Sequence, residues 1–451
     1  MKISFCSLGC KVNQYEVTAI INQFLDEGWE LVPFDKIKDI NVDAIIINTC
    51  SVTDTSDGKS RKMIHRAVKY APDAIIAVMG CYSQLNSEKV ASIKGVSIVI
   101  GTSNRDKLHD MILDKLNHKG LNIVNNTSDI MKQNCYEELK VHHTNDKTRA
   151  FVKIQDGCNN FCSYCTIPYA RGLVRSRNKD NVIEEIQILS NNGVKEIVLT
   201  GIDTGSYGKD FDDYDLANLL EDICLNVNNL GRIRISSIEN SEISVKLLNV
   251  IKKYQEHFCM HLHIPLQGSS DKVLKRMNRK YTMAQYLEKI DLIYSMFPDI
   301  NITTDILTGF CSEDEEDFLN GLDVIKKAHF GEMHVFPYSR RPKTIAYKYT
   351  DQVDEATKHK RVLKILELNE EMALNYRKKF IGKELDVICE VNKDGWWHGH
   401  TSNYIEIKFK GDFNSNDLVK VRMTSANYPE SIGEVLWNLV IMDLRNISMM
   451  A

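Results

Sequence analysis

The segment IQDGCNNFCSYCTIPYARG, residues 154–172, contains three cysteines in the pattern C-x3-C-x2-C. Thiolates select zinc, copper(I) or iron–sulfur clusters. A structural zinc ion takes four ligands, and no histidine follows Cys158, Cys162 and Cys165 (the barrel trio) at zinc-finger spacing. Ferredoxins use four cysteines per 4Fe-4S cluster at a different spacing. Three thiolates would leave one iron of a cluster open to a substrate, so the segment predicts a reactive iron–sulfur site.

This segment follows the first of six apolar runs that alternate with helical patterns between residues 150 and 338. The runs are residues 151–154, 196–199, 233–236, 261–265, 302–307 and 333–336. Six β/α units predict a barrel or partial barrel, whose chemistry takes place on the loops after the strands. The charged, amphipathic pattern of residues 354–380 predicts one further helix.

A second set of cysteines, Cys10, Cys50 and Cys81 (the N-terminal trio), is spread over the first hundred residues. Apolar runs predict buried parallel strands, and amphipathic patterns predict helices between and after them. The strands are residues 3–8, 44–47, 74–79 and 96–100, and the helices are residues 13–27, 58–70, 87–92 and 105–116. This pattern predicts a small doubly wound α/β domain, in which ligands bind at the carboxyl ends of the strands. Because each of the three cysteines follows a strand, we expect the fold to bring them together.

The rest of the chain contains a connector and a β domain. Polar residues dominate residues 118–143, and period-two patterns mark strands at residues 385–391, 404–409 and 419–423. The pair Asp394 and Gly395 indicates a hairpin turn. We therefore predict an α/β protein made of a doubly wound domain, a connector, a (β/α)6 partial barrel and a small antiparallel β-barrel, at residues 1–117, 118–143, 144–380 and 381–446.

Composition limits the environment in which the chain works. It is globular, with 43% hydrophobic and 26% charged residues, and no apolar run is long enough to span a bilayer. The apolar run before the SLGC box at residues 7–10 is too short for a signal peptide. We expect a cytoplasmic protein without a membrane partner. Since thiols stay reduced there, the 12 cysteines favour metal binding or catalysis over disulfides.

Motifs along the whole chain resemble the methylthiotransferases of the radical S-adenosylmethionine (SAM) superfamily. They are LGCKVNQYE, NTCSV, GCY, CNNFCSYCTIPYARG, RIRISSIE, HIPLQ, VLKRMNRKYT and HVFPYS. The resemblance implies an N-terminal methylthiotransferase domain, a radical SAM core and a C-terminal TRAM domain that binds RNA. It also implies SAM and two 4Fe-4S clusters, a radical cluster on the barrel trio and an auxiliary, sulfur-carrying cluster on the N-terminal trio.

The resemblance also suggests which further residues contact the cofactor. Tyr164 is expected to pack on the adenine of SAM, and Gly201 and Asp203 are expected to contact its methionine part. Three residues at strand ends are expected to touch cofactor or substrate: Arg234, Ser236 and Gln267. A core aromatic and structural hydrogen bonds are the alternative interpretations of these positions.

The substrate is suggested by LGCKVNQYE and by the basic segment GKSRKMIHRA, which most resemble the branch acting on N6-threonylcarbamoyladenosine in tRNA. The implied reaction methylthiolates carbon 2 of this adenine. Its implied partners are the anticodon loop and a reductant such as flavodoxin or ferredoxin, and we expect a monomer. Four arginines near the predicted active loops favour a substrate with a carboxylate: Arg61, Arg171, Arg234 and Arg340. Three aromatic residues of the last domain are candidates for stacking on RNA or for bracing the barrel: Trp396, Trp397 and Tyr404.

Three other functions are open from the sequence. The nearest is a methylthiotransferase for isopentenyladenosine in tRNA. A ribosomal-protein methylthiotransferase is disfavoured by the residues after LGC. A non-catalytic iron–sulfur RNA-binding sensor would not need the turn at residues 201–203.

Two loops depart from the usual family pattern. Residues 309–313 read Gly-Phe-Cys-Ser-Glu where the family usually has Gly-Phe-Pro-Gly-Glu. Residues 268–270 read Gly-Ser-Ser in place of Ser-Gly-Ser. Both differences lie on the predicted active face, so they bear on local substrate contacts.

Overall fold

The computed structural model describes residues 1–118, 123–144 and 148–436 of the 451-residue chain. These residues form a parallel α/β domain, a β/α partial barrel and a closed β-barrel, which confirms the predicted fold class. The end of the predicted last domain, residues 437–446, lies outside the described residues. Every described helix is too short or too polar to cross a bilayer.

The N-terminal domain is a parallel sheet with helices on both faces. Its strands are β1 (Lys2–Ser7), β2 (Glu30–Pro33), β3 (Ala44–Thr49), β4 (Ile75–Gly80), β5 (Ile98–Ile100) and β6 (Val124–Asn126). Its helices are α1 (Lys11–Asp26), α2 (Asp54–Tyr70), α3 (Cys81–Leu85), α4 (Ser87–Ala91) and α5 (Leu108–His118). The strand order is β2-β1-β3-β4-β5-β6.

Alternate residues of the central strand β3 face the two helical layers. Ile45 and Ile47 pack in one apolar cluster with α2, and Ala44 and Ile46 pack in another with α1 and α5. Burial on both faces explains why these strands are apolar throughout. The sequence does not predict β2 or β6. The polar strand β6 lies within the predicted connector and is held by backbone pairing with β5.

The central unit has six parallel strands arranged as a partial barrel. Its strands, with the short pair β8 and β9, are β7 (Arg149–Lys153), β8 (Gln155–Asp156), β9 (Arg175–Ser176), β10 (Glu196–Thr200), β11 (Arg232–Ile235), β12 (His261–His263), β13 (Asn301–Thr308) and β14 (Glu332–Pro337). Strands β11-β10-β7 and β12-β13-β14 form two sheets, joined by parallel bridges between Ser237 and His263 and between Ile233 and Phe258. The six predicted strands are thereby confirmed.

Helices surround this barrel and share one large apolar core with its strands. They are α6 (Ile167–Arg171), α7 (Lys179–Asn191), α8 (Leu216–Asn226), α9 (Val245–Lys253), α10 (Asp271–Arg276), α11 (Met283–Met296), α12 (Glu315–Ala328) and α13 (Glu355–Lys378). Short 3-10 turns occur at Phe34–Lys36, Arg105–Lys107, Ile130–Lys132, Thr204–Ser206, Asn240–Glu242, Gln255–His257 and Ala346–Lys348.

The C-terminal domain is a closed barrel that packs on the partial barrel. Its strands are β15 (Glu384–Lys393), β16 (Trp396–Thr401), β17 (Glu406–Phe409), β18 (Leu418–Ser425) and β19 (Ser431–Val435), in the order β15-β16-β17-β19-β18. The loop after β16 meets the amino ends of the core strands: Ser402 Oγ accepts the N–H of Met260 (3.1 Å), and the Asn403 carbonyl accepts Nδ2 of Asn301 (2.9 Å). This loop closes one end of the partial barrel.

A buried ion-pair network centred on Glu16 joins the N-terminal domain to the partial barrel. Glu16 and Arg105 belong to the first domain and pair with each other, and both are fully buried. From the partial barrel, Arg171 also pairs with Glu16, and Lys153 Nζ lies 2.9 Å from its Oε1. Asp156 pairs with Lys153 at 2.5 Å and lies 3.5 Å from Arg171. Each buried charge therefore has an opposite charge beside it.

The pKa of Glu16 reflects this network. Burial acts to raise it, but the charges of Arg105, Arg171 and Lys153 outweigh burial and hold the pKa well below its usual range. A carboxyl group with a lowered pKa stabilises the fold at neutral pH, and this contribution is lost on acidification through the lowered pKa.

We predict that Glu16→Gln destabilises the protein by about 3–5 kcal/mol, because three buried cations then lack their shared partner. Urea unfolding followed by circular dichroism measures the change. The matched control is Glu184→Gln, since Glu184 is exposed and pairs with Lys140 on the surface. An unfolding midpoint that Glu16→Gln leaves unchanged would show that the network does not hold the two domains together.

Candidate active site

The barrel trio lies on the loop between β8 and α6, and hydrogen bonds fix this loop to the turn after α10. The N–H of Ser163 donates to the Met277 carbonyl at 2.9 Å. The Asn278 side chain donates to the carbonyls of Asn160 and Phe161 at 3.2 and 3.0 Å. Phe161 has a positive φ of 46°, a conformation that these bonds support. The protein itself therefore sets the path of the loop.

Hydrogen-bond donors surround the sulfur atoms of the barrel trio. Backbone N–H groups lie 3.5 Å from Cys158 Sγ and 3.4 Å from Cys165 Sγ. Nη1 of Arg279 lies 3.5 Å from Cys162 Sγ, and its Nη2 pairs with Glu239. Donors of this kind stabilise metal-bound thiolates, which makes the loop a suitable ligand set for a cluster.

The N-terminal trio lies at the carboxyl ends of three neighbouring strands, as the sequence predicts. Cys10 precedes α1, Cys50 follows β3 and Cys81 begins α3 after β4. A Cβ on Gly9, whose φ is +111°, would lie 3.0 Å from Cβ of Cys50, so the loops carrying Cys10 and Cys50 touch. Arg171 Nε donates to Cys81 Sγ at 3.3 Å.

The two trios adjoin each other across the domain interface. Thr166, directly after Cys165, donates its hydroxyl to the carbonyl of Ser51, directly after Cys50, at 3.3 Å. Arg171, at the end of the helix that follows the barrel trio, reaches the sulfur of Cys81. Two sites that the sequence separates by up to 155 positions are therefore in contact.

The spacing of the sulfur atoms is wider than a single ion needs. Among the described residues, some His/carboxylate groups place three ligand atoms within 4.8 Å of one another, but neither trio does. Sulfur ligands of one tetrahedral zinc lie about 3.8 Å apart, given Zn–S bonds of about 2.3 Å.

A cavity of about 700 Å³ lies between the partial barrel, the start of α1 and the C-terminal domain. Cys10 lines it, as do Gly201 and Ser236 at the carboxyl ends of β10 and β11. The hydroxyl of Ser236 is buried and has no hydrogen-bond partner in the described part of the chain, which is rare for a buried polar group unless a ligand completes it. Both the volume and this hydroxyl fit a bound molecule the size of SAM.

Asp203, another of the predicted cofactor residues, lies next to the barrel trio. Its Oδ2 accepts Nδ2 of Asn160 at 2.9 Å and the Ser206 hydroxyl at 2.8 Å, and lies 3.7 Å from Cys158 Sγ. Gln267 follows β12 with a φ of +66°, and its backbone pairs with β13. Asp203 and Gln267 are thus placed at the carboxyl ends of core strands.

Tyr164 and Arg234 have protein partners in the structure. Tyr164 packs edge-on against Phe310, with ring centroids 6.1 Å apart, which is the arrangement of a core aromatic. Arg234 is buried, pairs with Glu196 at 2.9 Å and donates to the Ser402 carbonyl at 3.2 Å. These contacts place Arg234 against the C-terminal domain, where it holds the two barrels together.

The three candidate aromatic residues of the last domain differ in their surroundings. Trp396 is half-buried, with the ammonium groups of Lys408 and Lys410 over its ring, and Trp397 is buried in the domain core. Tyr404 lies in the cavity wall, stacked on His261 with ring centroids 4.8 Å apart. Tyr404 therefore braces the domain interface.

Sequence reasoning does not single out Arg279 as a neighbour of the barrel trio. It lies 117 positions from Cys162, and nothing in its own surroundings distinguishes it from the adjacent basic residues. The conformation of the turn after α10 brings the guanidinium group of Arg279 to the sulfur of Cys162. The sequence pattern does not reveal this conformation.

The two loops that depart from the family pattern contact each other. Ser269 Oγ donates to Oε2 of the buried Glu313 at 3.1 Å. Glu313 also accepts the Gly309 N–H at 2.9 Å and pairs with Arg361 at 2.8 Å, while Cys311 is fully buried. Of the altered residues, Ser269 thus contacts Glu313, which the family pattern shares, and this bond helps to keep the loop after β13 in place.

Comparison with known proteins agrees with this geometry. A model of the radical SAM superfamily matches residues 152–325, and a model of uncharacterized protein family UPF0004 matches residues 2–101. The chain is 42% identical to the threonylcarbamoyladenosine tRNA methylthiotransferase MtaB of Bacillus subtilis, over 96% of each chain. The chain belongs to the radical SAM tRNA methylthiotransferases.

Other relatives of this methylthiotransferase carry two different substrate names. A threonylcarbamoyladenosine tRNA methylthiotransferase of Aquifex aeolicus is 35% identical over 93% of this chain and 100% of the relative. A tRNA-2-methylthio-N(6)-dimethylallyladenosine synthase of Thermoanaerobacter pseudethanolicus is 36% identical over 85% of this chain and 80% of the relative. Among solved structures, the radical SAM methyltransferase TsrM from Kitasatospora setae has the same fold, with a TM-score of 0.57 and 12% identity over 88% of this chain and 80% of TsrM.

We predict that iodoacetamide at pH 8 alkylates the cysteines of the metal-free methylthiotransferase in an order set by burial. Cys10 is exposed and should react first within its trio. Cys81 is buried, and burial raises its pKa to about 12. The reagent therefore cannot reach its sulfur easily, and little of the reactive thiolate form is present at pH 8. Peptide mass spectrometry over time measures the order, and urea should abolish the difference. Faster alkylation of Cys81 than of Cys10 in the folded chain would contradict the described trio.

Proposed function

We propose that this methylthiotransferase adds a methylthio group to carbon 2 of N6-threonylcarbamoyladenosine beside the anticodon of tRNA. The observation that carries the proposal is the contact between the loops of the two trios, next to a cavity that Cys10 lines. Two adjoining thiolate sites suit a reaction that needs both a radical and a sulfur donor. The name of the 42% identical Bacillus subtilis relative supports the threonylcarbamoyl substrate.

SAM and two 4Fe-4S clusters fit the residues present. The barrel trio would hold the radical cluster and the N-terminal trio the auxiliary cluster, each with three thiolates. When bound, these groups supply a carbon radical derived from SAM and a methylthio group for transfer. The N–H donors and Arg279 around the barrel trio, and Arg171 beside Cys81, provide the positive surroundings that thiolate ligands require.

The remaining residues of the site bind and orient the reacting groups, and they exclude water. Ser236 offers to the cavity a hydroxyl without a partner among the described residues, and Gly201 lines the same cavity. Asp203 fixes Asn160 and thereby the start of the trio loop. The C-terminal domain closes the other end through Asn403 and Tyr404, which keeps bulk water away from a radical reaction.

A basic groove on α2 supports a tRNA partner. This groove, of about 740 Å³, is lined by five cationic side chains and a single carboxylate, Asp35; the cations are Lys36, Lys38, Lys62, Arg66 and Lys69. Such a local cluster attracts phosphates even though the whole chain has a net charge of −4. Stacking of RNA on Trp396 remains part of this proposal.

The proposal includes a flavodoxin or ferredoxin as the electron donor, a monomeric enzyme and a cytoplasmic location. The alternative substrate, isopentenyladenosine tRNA, is supported by relatives such as the Thermoanaerobacter enzyme. A non-catalytic iron–sulfur sensor would not need the large cavity that Cys10 lines.

We predict that single cysteine variants separate the two trios. Cys162→Ala should abolish reductive cleavage of SAM to 5′-deoxyadenosine, because the barrel trio loses a cluster ligand. Cys50→Ala should retain cleavage but yield no methylthiolated nucleoside. Anaerobic assays with iron analysis measure both, and Cys135→Ala is the control because Cys135 lies in neither trio. Normal product formation by Cys50→Ala would remove the N-terminal trio from the reaction.

We predict methylthiolation of tRNA bearing threonylcarbamoyladenosine and, at most, about one hundredth of that rate on tRNA bearing isopentenyladenosine. The reason is that a charged group and an apolar group require opposite pockets, and charged side chains such as Lys11, Asp305 and Glu332 line the cavity. Parallel anaerobic assays with nucleoside mass spectrometry measure the ratio. A preference for the isopentenyl substrate would overturn the assignment.

A further inference from the structure

The carboxylate of a threonylcarbamoyl group needs a cationic partner, and the four arginines expected from the sequence do not provide one in the cavity. Arg171 and Arg234 are buried and paired with Glu16 and Glu196. Arg61 contacts Tyr82 from α2, and Arg340 donates to a backbone carbonyl on the surface. A different cation must therefore meet the carboxylate if this substrate binds.

Lys11 is that cation in the described structure. It directly follows Cys10, is half-buried and lines the cavity of about 700 Å³. Among the described residues, its ammonium group has no hydrogen bond or ion pair. A partly buried ammonium without a partner is costly, so its position favours binding of an anion.

The surroundings of Lys11 strengthen the attraction for an anion. Lys11 is the first residue of α1. The first turn of α1 carries no acidic residue and no side-chain cap, so the partial positive charge of the helix end adds to the field.

A second unsatisfied donor lies on the same wall. Nδ1 of His261 is buried and has no partner, while its Nε2 lies 2.9 Å from the Thr303 hydroxyl. When Thr303 donates to Nε2, the ring proton is on Nδ1, and this N–H is free to donate. The ring is fixed by stacking on Tyr404, with centroids 4.8 Å apart.

The carboxylates in the cavity wall do not serve as partners for Lys11. Asp305 lies between His263 and His334, at 3.3 and 3.4 Å, and Glu332 pairs with Arg377 at 3.3 Å. Glu406 groups with His398 and Glu430 on the C-terminal domain. Lys11 is thus available to a ligand.

We infer that Lys11 and His261 form a carboxylate-binding subsite that selects the threonylcarbamoyl group of the substrate. The ammonium group of Lys11 makes a charge-assisted hydrogen bond to the carboxylate, and Nδ1–H of His261 donates to its second oxygen. The subsite rests on the proposed function, because it gives this enzyme its preference for an acidic over an apolar modification. Its position next to Cys10 would place the modified adenine beside the N-terminal trio.

A double-mutant cycle between enzyme and substrate tests the inference. The substrates are anticodon stem-loops carrying threonylcarbamoyladenosine or its methyl ester, which keeps the shape and removes the charge. Dissociation constants with the full chain and kcat/KM with the reconstituted enzyme are measured for wild type, Lys11→Met and Lys11→Arg. Loss of a hydrogen bond between charged groups should weaken binding and kcat/KM by at least about tenfold.

The expected pattern is specific to a carboxylate contact. Wild type should prefer the acid to the ester by at least about tenfold, Lys11→Met should bind both equally weakly, and Lys11→Arg should restore part of the preference. The control Lys253→Met removes an exposed lysine that pairs with Glu221 and should leave the preference unchanged. Iron content is measured in every variant, and the ratio of acid to ester is compared within each variant, so that a loss of iron does not imitate a loss of preference.

Three results would overturn the inference. If the wild type uses the acid and the ester equally well, the subsite does not exist. This result needs no mutation, so the test does not depend on how well Lys11→Met folds. An undiminished preference for the acid in Lys11→Met assigns the contact to another residue. After either of these two results, an enzyme that still methylthiolates threonylcarbamoyl tRNA keeps the proposed function, and only the subsite is wrong. The third result is a preference for isopentenyl tRNA, which would overturn the proposed function as well.

Discussion

The buried carboxylate of Glu16 is the point on which the arrangement of the two domains depends. It lies in α1, the helix that begins at Cys10, and it meets cations from both sides of the domain interface. Arg171, one of these cations, also donates to Cys81. The same ion-pair network that holds the domains together therefore positions the N-terminal trio against the helix that follows the barrel trio. A buried network of this kind adds specificity of position more than stability, because its desolvation is costly.

Function follows from this fixed arrangement. Each trio alone is a plausible cluster site, but a reaction that combines a radical with a sulfur donor needs the two next to one substrate. The contact between Thr166 and Ser51 and the cavity beside Cys10 meet that requirement. The C-terminal domain contributes the opposite wall through Tyr404, so all three units form the cavity. In the proposed reaction, Lys11, which lines this cavity at the start of α1 and directly follows Cys10, would link the choice of substrate to the position of the sulfur donor.

Much of the fold and the positions of the cysteines could be predicted from the sequence. Strong apolar runs mark the central strands, and parallel strands gather their carboxyl ends, so Cys10, Cys50 and Cys81 could be placed together. The polar strand β6 could not be predicted, because backbone pairing with β5 holds it. Arg234 was expected near the cofactor, yet its partner Glu196 and the Ser402 carbonyl hold it against the C-terminal domain. Contacts of single polar residues between distant segments leave no periodic signal in the sequence.

Anomalous diffraction at the iron edge, from crystals of the anaerobically reconstituted chain, is the most direct test of the central claim. That claim is that both trios hold iron–sulfur clusters beside one cavity. The account predicts two groups of iron peaks, one at Cys158, Cys162 and Cys165 and one at the N-terminal trio, where Cys10 lines the cavity. Iron at the barrel trio alone, with the N-terminal trio bound to zinc or to no metal, would contradict it.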